Sequence, residues 1–257
     1  MHAPIDAHER FDQVLKAAGL RCPSLPIIDQ RFHRVPTSLK KNDTAGYYIA
    51  RELEDGHIYA LYGCWRNGWE DKWNSRQNGK LSHKDKARFA ELRKVAEEEK
   101  QKTNEAAKVE AQEIFNRGFP NADAHKYAKK KSIKGHNAVI ADDGRMAIPV
   151  YFDDELVSLQ HIDDQGGKLF LKGGRTKGGY CPIEGDSDQA IVCEGFATAA
   201  TLAEVTGRTV YCAFNAGNLD AVTAYAKTKH PQVVIAGDDD RWTEGNPGRT
   251  KAEAAAT

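Results

Sequence analysis

Two short apolar runs near the C-terminal end of the chain each lead into acidic residues, and this arrangement restricts the fold most. Residues 190–193 are followed by Glu194, and residues 233–236 are followed by a glycine and three aspartates. Short β-branched runs that alternate with helical patterns predict a parallel α/β sheet. Ligands bind at the carboxyl ends of the strands in such sheets. Both acidic groups are therefore expected at a functional edge.

The aspartate run has the spacing of a cation site. Asp238 and Asp240 occupy alternate positions, so that both side chains can point towards one ion. Carboxylates gathered at one edge repel each other unless a hard divalent cation such as Mg²⁺ lies between them. The alternative is a set of solvated loop acids. Their position at strand ends favours a metal site.

An ordered set of motifs in this region resembles the Toprim domain, which DnaG-type primases, topoisomerases and some nucleases share. The motifs are, in chain order, Glu194-Gly195, a strand pattern at 210–214, a turn at 215–219, Asp238-x-Asp240 and Asn246-Pro247-Gly248. The residues of these motifs resemble those of the primases of conjugative plasmids, phages and integrated elements. The resemblance extends well over residues 119–257 and loosely over residues 30–75.

The resemblance implies roles for individual residues. Glu194, Asp238 and Asp240 correspond to the catalytic and metal-binding acids, with Glu194 as a general base or as an acid linked to the metal. The residues that correspond to a nucleotide site are Gly195, Asn215, Gly217 and Asn218.

The sequence also departs from the DnaG-type pattern at two places. Thr198 stands where those primases carry an acid, and the acids that they use beyond the Asp-x-Asp pair are missing. The Toprim domain is therefore expected to be truncated at its C-terminal end.

The implied function is that of a DNA primase, a nucleotidyltransferase that makes short RNA primers on single-stranded DNA for plasmid, phage or mobile-element replication. Its cofactor would be Mg²⁺ or Mn²⁺. Its partners would be the single-stranded template, ribonucleoside triphosphates and a replicative helicase, fused or separate. Two alternatives remain open, a non-catalytic DNA-binding module and a Toprim nuclease.

Four segments are predicted along the chain. Residues 1–80 form an N-terminal α+β region, and residues 81–118 form a long, charged helical connector that lacks proline. Residues 119–186 form a small basic α+β subdomain with an antiparallel sheet, and residues 187–257 form the Toprim domain. The mixed charges of the connector are read as pairs on the helix surface.

Basic residues cluster in two parts of the subdomain. Lys129, Lys130 and Lys131 precede its strand pattern. A glycine-rich segment at 172–180 then carries Lys172, Arg175 and Lys177. Glycines allow the backbone to approach a phosphate, and the cations attract it. These six residues are predicted to bind nucleic acid, although a merely solvated loop is the alternative for the segment.

Three tryptophans, Trp65, Trp69 and Trp73, are spaced by four residues in the N-terminal region. This spacing would place them on one face of a helix, where they could stack single-stranded bases. Neighbouring Asn-Gly pairs indicate turns instead, and aromatic residues more often pack in a core. Structural packing is the favoured interpretation.

Composition adds few limits. The chain has 257 residues, with 37 basic and 37 acidic residues and no net charge. It has neither a signal-peptide pattern at its N-terminus nor an apolar run of about eighteen residues, so no membrane span is expected. Its five cysteines are scattered without a C-x-x-C pair, which predicts reduced thiols, no zinc ribbon and a cytoplasmic protein.

Overall fold

The computed structural model describes residues 6–38, 43–66, 68–76, 83–239 and 242–256, without the side chain of residue 247. The chain forms two compact units, Met1–Gln101 and Lys102–Thr257. The border between them lies within the predicted helical connector.

The first unit contains one helix and a four-stranded antiparallel sheet. Its elements are α1 (Ala7–Ala17), β1 (His33–Val35), β2 (Gly46–Glu52), β3 (Ile58–Cys64) and β4 (Trp69–Asn74), with the strands in the order β1-β2-β3-β4. Phe11 and Leu15 of α1 are fully buried and pack on Tyr48 and Ala60 of the sheet. The turn between β2 and β3 contains Gly56 at φ 74°, a conformation that glycine adopts without steric cost.

Trp69 and Trp73 belong to this sheet and Trp65 directly follows β3, so the stretch is not the helix of the alternative interpretation. Trp69 and Trp73 lie on β4, where a spacing of four also places two residues on one face. Both pack against the cluster that contains Phe11, and the ring of Trp73 stacks on Phe11 at 5.2 Å between centroids. Trp65 stacks with Phe32 at 5.2 Å. The favoured structural interpretation is therefore confirmed.

A buried carboxylate holds the chain between β1 and β2. Asp43 accepts hydrogen bonds from the Thr37 N–H and hydroxyl at 3.1 and 3.0 Å and from the Ser38 hydroxyl at 2.6 Å. It also accepts from the Ala45 N–H at 3.1 Å and from the Arg66 guanidinium at 2.8 Å. These donors, the Ser38 hydroxyl first among them, hold the pKa of the Asp43 carboxyl well below its usual range.

We expect Asp43→Asn to destabilise the first unit by about 1–3 kcal/mol at neutral pH, because an amide group would face hydrogen-bond donors. A depressed pKa contributes stability above the unfolded-state value of about 3.9, and this contribution is lost as the pH falls through the lower folded-state value. The difference between the two proteins should therefore shrink at strongly acidic pH. Urea unfolding followed by tryptophan fluorescence at both pH values measures it. Equal stability at neutral pH would contradict this role.

The long helix α2 (His83–Arg117) contributes to both units. Phe89 and Leu92 pack in the core of the first unit, and Ala111 packs in the core of the second. Ion pairs run along its surface at distances of 3.9–4.0 Å, joining Lys94 to Glu98, Lys100 to Glu97 and Lys108 to Glu105. The predicted helix and its surface pairs are confirmed.

The second unit contains two sheets, the first of which is antiparallel. Its elements are α3 (Lys126–Lys131), β5 (Val139–Ile140), β6 (Met146–Phe152), β7 (Glu155–Ile162) and β8 (Lys168–Phe170), with the strands in the order β5-β6-β7-β8. The predicted antiparallel sheet is confirmed, and β5 is an addition to it. Gly144 and Gly166 have φ values of 82° and 93° in the predicted turns.

The second sheet of this unit alternates with helices. Its elements are β9 (Cys181–Ile183), β10 (Gln189–Cys193), α4 (Phe196–Thr206), β11 (Thr209–Cys212), α5 (Leu219–Lys229), β12 (Gln232–Ala236) and α6 (Pro247–Ala256). The strand order is β12-β10-β11-β9, and β10 pairs in parallel with both β11 and β12. The predicted parallel sheet is confirmed for these three strands. β9 was not predicted and pairs antiparallel with β11.

Both faces of this sheet are covered. On one face, Phe196 and Ala200 of α4 are fully buried, and on the other, Leu219 and Val222 of α5 are fully buried. Burial on both faces explains why its strands are almost continuously apolar. None of the helices in the described part of the chain has the length and apolar character to cross a membrane.

Candidate active site

The two predicted acidic groups lie at adjacent strand ends. Cys193 at the end of β10 is in register with Ala236 at the end of β12. Glu194 follows β10 directly, and Asp238 lies two residues beyond β12. Glu194 is half-buried, whereas Asp238 is exposed. The parallel pairing of β10 and β12 thus brings both acids to one edge of the sheet, as the sequence predicts.

The pKa of the Cys193 thiol is affected by both carboxylates. Burial raises the pKa of this thiol above its ordinary value, and nearby negative charges that include Asp238 and Glu194 raise it further. Electrostatic contributions of this kind fall with distance. The direction of this shift agrees with the register of β10 and β12, which places both acids at the strand ends next to Cys193.

The backbone at Glu194 is fixed by its neighbours on β11. The Ala213 N–H donates to the Cys193 carbonyl at 2.8 Å, and the Cys212 thiol donates to the Glu194 carbonyl at 3.3 Å. Gly195 is the N-cap of α4, and a Cβ atom at this position would meet only Thr198 Oγ1, at 3.7 Å. The free N–H groups of a helix N-terminus attract anions. Space and backbone donors thus lie beside the half-buried carboxylate.

The segment after β12 is held against α6. A side chain at Gly237 would overlap Ala252, so that glycine is needed where the chain leaves the sheet. Asp239 accepts a hydrogen bond from the Asn246 amide at 2.9 Å. Asp240 lies outside the described residues, and its place in the metal site stays a prediction.

Glu194 and Asp238 suit a hard divalent cation, since carboxylate oxygens are the ligands that Mg²⁺ and Mn²⁺ prefer. Within the described residues, three or more His, Cys, Asp or Glu side chains are nowhere grouped closely enough to hold a metal ion. The described pair would supply two ligand side chains. The type of donor fits the predicted ion, and the third predicted ligand, Asp240, lies outside the described residues.

The four predicted nucleotide-binding residues differ in their exposure to solvent. Asn215 and Gly217 are exposed, and Gly195 is half-buried at the adjacent strand end. Asn218 is buried at 5% exposure, and its side chain hydrogen-bonds to the glycine-rich segment. Asn218 therefore holds a neighbouring loop, a role that its sequence motif did not indicate.

The six predicted nucleic-acid-binding residues are all exposed, but they lie on two different elements. Lys129, Lys130 and Lys131 occupy the last turn of α3. Lys172, Arg175 and Lys177 lie on the glycine-rich segment, where the Arg175 guanidinium stacks on the Phe152 ring with Cζ 3.2 Å from the ring centroid. The segment is attached through Asn218 to the edge of the sheet that carries Glu194.

The structure places one further cation near this edge. Burial raises the pKa of the Cys212 thiol to about 12, and the positive charge of Lys168 acts in the opposite direction. Phe170, two residues further along β8, contacts the Phe214 ring at 5.5 Å between centroids. Lys168 is exposed at the start of β8. Its sequence position indicated only a strand, because no local motif shows that β8 lies beside β11.

Comparisons with known proteins agree with this geometry. Residues 189–257 match the Toprim domain family. The chain is 32% identical over 277 residues to DNA primase TraC of Escherichia coli, covering 98% of this chain and 26% of the relative. Another Escherichia coli protein with the same name is 33% identical over 272 residues, covering 96% of this chain and 19% of the relative. The chain thus spans about a quarter of one relative and about a fifth of the other. No solved structure matches it.

Proposed function

Because the chain is related to the Toprim-domain DNA primases, with residues 189–257 as its Toprim domain, we propose that it synthesises short RNA primers on single-stranded DNA. The reaction would be a metal-dependent nucleotidyl transfer in plasmid, phage or mobile-element replication. The same proposal puts the protein in the cytoplasm with its DNA template and ribonucleotides. A replicative helicase is the further partner that the primase resemblance implies.

One observation carries this proposal. Glu194 and Asp238 lie at the ends of neighbouring parallel strands, and the adjacent strand end is attached to a glycine-rich segment with three exposed cations. Two carboxylates can hold a divalent cation, and cations beside them can bind phosphates. Nucleotidyl transfer to a growing primer requires both functions at one place.

The reaction joins the 3′-hydroxyl of the primer to the α-phosphate of a nucleotide and releases pyrophosphate. Glu194, Asp238 and Asp240 would hold Mg²⁺ or Mn²⁺, which neutralises the triphosphate charge when it is bound. Glu194 has one of two roles, as the base that takes the proton of the 3′-hydroxyl or as a metal ligand. Gly195 and Gly217 would keep the strand ends open for the nucleotide, and Asn215 would contact it.

The six exposed cations would bind the DNA template through its phosphates. Phosphate contacts release counterions, with a slope of about −0.7 per contact in a plot of log affinity against log salt concentration for single strands. Replacing Lys172, Arg175 and Lys177 together by alanine should therefore flatten the slope by about two units and weaken all template sequences alike. Fluorescence anisotropy with single-stranded oligodeoxynucleotides at several salt concentrations measures this change.

A matched control removes the same charge elsewhere. Lys86, Lys94 and Lys102 are exposed on α2, and their triple alanine variant should keep a nearly unchanged salt slope. Equal slopes for the wild type and the segment variant would refute the assignment of this segment to DNA binding.

One assay separates the three candidate functions. Wild-type protein is incubated with end-labelled single-stranded DNA, labelled ribonucleotides and Mg²⁺ or Mn²⁺. A primase extends ribonucleotide products and leaves the DNA intact, whereas a nuclease shortens the DNA. A non-catalytic binding module retains the DNA on the protein and changes neither molecule.

A further inference from the structure

The side chain of Asn218 links the glycine-rich segment to the residue that follows β11. Its amide nitrogen donates to the Thr176 carbonyl at 2.8 Å and to the Ala213 carbonyl at 3.2 Å. Its carbonyl oxygen accepts from the Gly178 N–H at 3.1 Å. A longer contact joins the amide nitrogen to the Gly179 carbonyl at 3.5 Å. Asn218 is buried, so these hydrogen bonds are not exchanged for bonds to water.

Two of these hydrogen bonds are made to the residues immediately before and after Lys177. Thr176 precedes Lys177 and Gly178 follows it, and both are bound by the same amide group. The Lys177 carbonyl itself accepts from Arg175 Nε at 3.3 Å. The backbone of Lys177 is thus fixed from both neighbours, while its charged side chain stays exposed.

The third bond attaches this lysine to the candidate active site. Ala213 follows β11, and its N–H donates to the carbonyl of Cys193, the residue before Glu194. A short path of hydrogen bonds therefore runs from the backbone beside Lys177, through Asn218 and Ala213, to the strand end that precedes the candidate catalytic residue Glu194. The cation and the acid belong to different parts of the second unit, and this path fixes one relative to the other.

The segment needs such an attachment because its own sequence is flexible. Gly173 and Gly178 have φ values of 81° and 72°, and glycine has many accessible conformations in a free chain. Besides Asn218, the Arg175 side chain holds the segment through its stacking on Phe152. Removing the amide would leave the backbone at Lys177 with fewer restraints.

We propose that Asn218 is a positioning residue, which orients Lys177 beside the strand ends of β10 and β11 so that this lysine meets a phosphate of the template or the nucleotide. The inference rests on the proposed function for the identity of the phosphate. The positioning itself is a property of the fold, and it can be measured without any catalysis.

The first test uses hydrogen exchange of the full chain, followed at the Gly178 amide by NMR. Asn218→Ala and Asn218→Asp should both increase exchange at Gly178, since neither side chain can donate to the Thr176 and Ala213 carbonyls. Asn137→Ala is the matched control, because Asn137 also donates to a backbone carbonyl, that of Pro182 at 2.8 Å. In the Asn137→Ala variant, the Gly178 amide should exchange at the wild-type rate. Unchanged protection in both Asn218 variants would overturn the proposal.

The second test is a double-mutant cycle that measures affinity for a fluorescently labelled single-stranded oligodeoxynucleotide. Asn218→Ala should weaken binding by about tenfold, whereas it should add little in a Lys177→Ala background, because positioning a missing lysine has no effect. A purely structural asparagine would give the same loss in both backgrounds, and this result would also overturn the proposal. Absent primer synthesis with an intact cycle would refute the proposed function alone.

Discussion

Replacing Asp238 by alanine is expected to lower the rate of primer synthesis by about a thousandfold, the scale of losing one electrostatic contribution to a transition state. The physical reason is its position two residues beyond β12, beside the half-buried Glu194 at the end of β10. Removing one of several like charges reduces their repulsion, so the stability of the metal-free protein should stay equal or rise. Asp240→Ala is expected to behave in the same way.

The control is an aspartate at the opposite end of the same sheet. Asp188 is exposed before the amino end of β10, at the opposite end of the strand from Glu194. Asp188→Ala changes the net charge equally and should leave the rate within about twofold, since a surface substitution away from a site has little effect. Primer-synthesis rates and thermal unfolding of both variants measure the difference. An Asp238→Ala protein with the wild-type rate would contradict the metal site.

Glu194→Gln is expected to lower kcat by about a hundredfold or more with little change in KM for the nucleotide, because general bases contribute about 10²–10⁴-fold to rates. The amide has nearly the same shape as the carboxylate, so the surrounding backbone, fixed through Cys193 and Cys212, should not move. Steady-state rates over a range of nucleotide concentrations separate kcat from KM. Weakened nucleotide binding with unchanged kcat would show that Glu194 has no role in the chemical step.

The metal dependence of the same variant decides between the two roles of Glu194. If Glu194 is a metal ligand, the variant needs more Mg²⁺ or Mn²⁺, and a high metal concentration restores part of its rate. If Glu194 is the base, added metal restores nothing, since the proton acceptor itself is missing. A titration of the rate with each metal ion therefore distinguishes the two roles.

The central sheet could be predicted from the sequence because its information is local. The apolar runs of β10 and β12 are short and bounded, and the acids follow them directly, so that parallel pairing alone brings Glu194 and Asp238 to one edge. The long helix was equally evident from its charged composition and its lack of proline. Each of these features depends on residues that are neighbours in sequence.

Contacts between distant residues could not be predicted. β9 has only three residues, and its sequence carries no strand pattern. Its place in the sheet follows from its antiparallel backbone pairing with β11, in which Cys181 is opposite Cys212. The position of Lys168 on β8 depends on another such contact, that of Phe170 of β8 with Phe214, which lies two residues beyond β11. The spacing of Trp69 and Trp73 is compatible with one face of a helix or with one face of a strand. Packing against the cluster that contains Phe11 favours the strand, and this contact is between residues far apart in sequence.

Asn218 shows the same limit within a motif. The sequence placed it among the nucleotide-binding residues because it lies in the turn that opens α5. The glycine-rich segment that occupies its amide is about 40 residues earlier in the chain, and no local pattern connects the two. The motif resemblance thus selected this residue, and the contacts that support its proposed positioning role are visible only in the tertiary structure.

The most direct test of the primase proposal is the transfer of label from a nucleotide γ-phosphate into a product. A primer that starts without an existing 3′-hydroxyl keeps the triphosphate of its first nucleotide, whereas every later addition releases it as pyrophosphate. Wild-type protein, single-stranded DNA, ribonucleotides and Mg²⁺ or Mn²⁺ should therefore yield short γ-labelled RNA on a denaturing gel, and Asp238→Ala should yield none. Tight DNA binding by the wild type without any γ-labelled product would contradict the account.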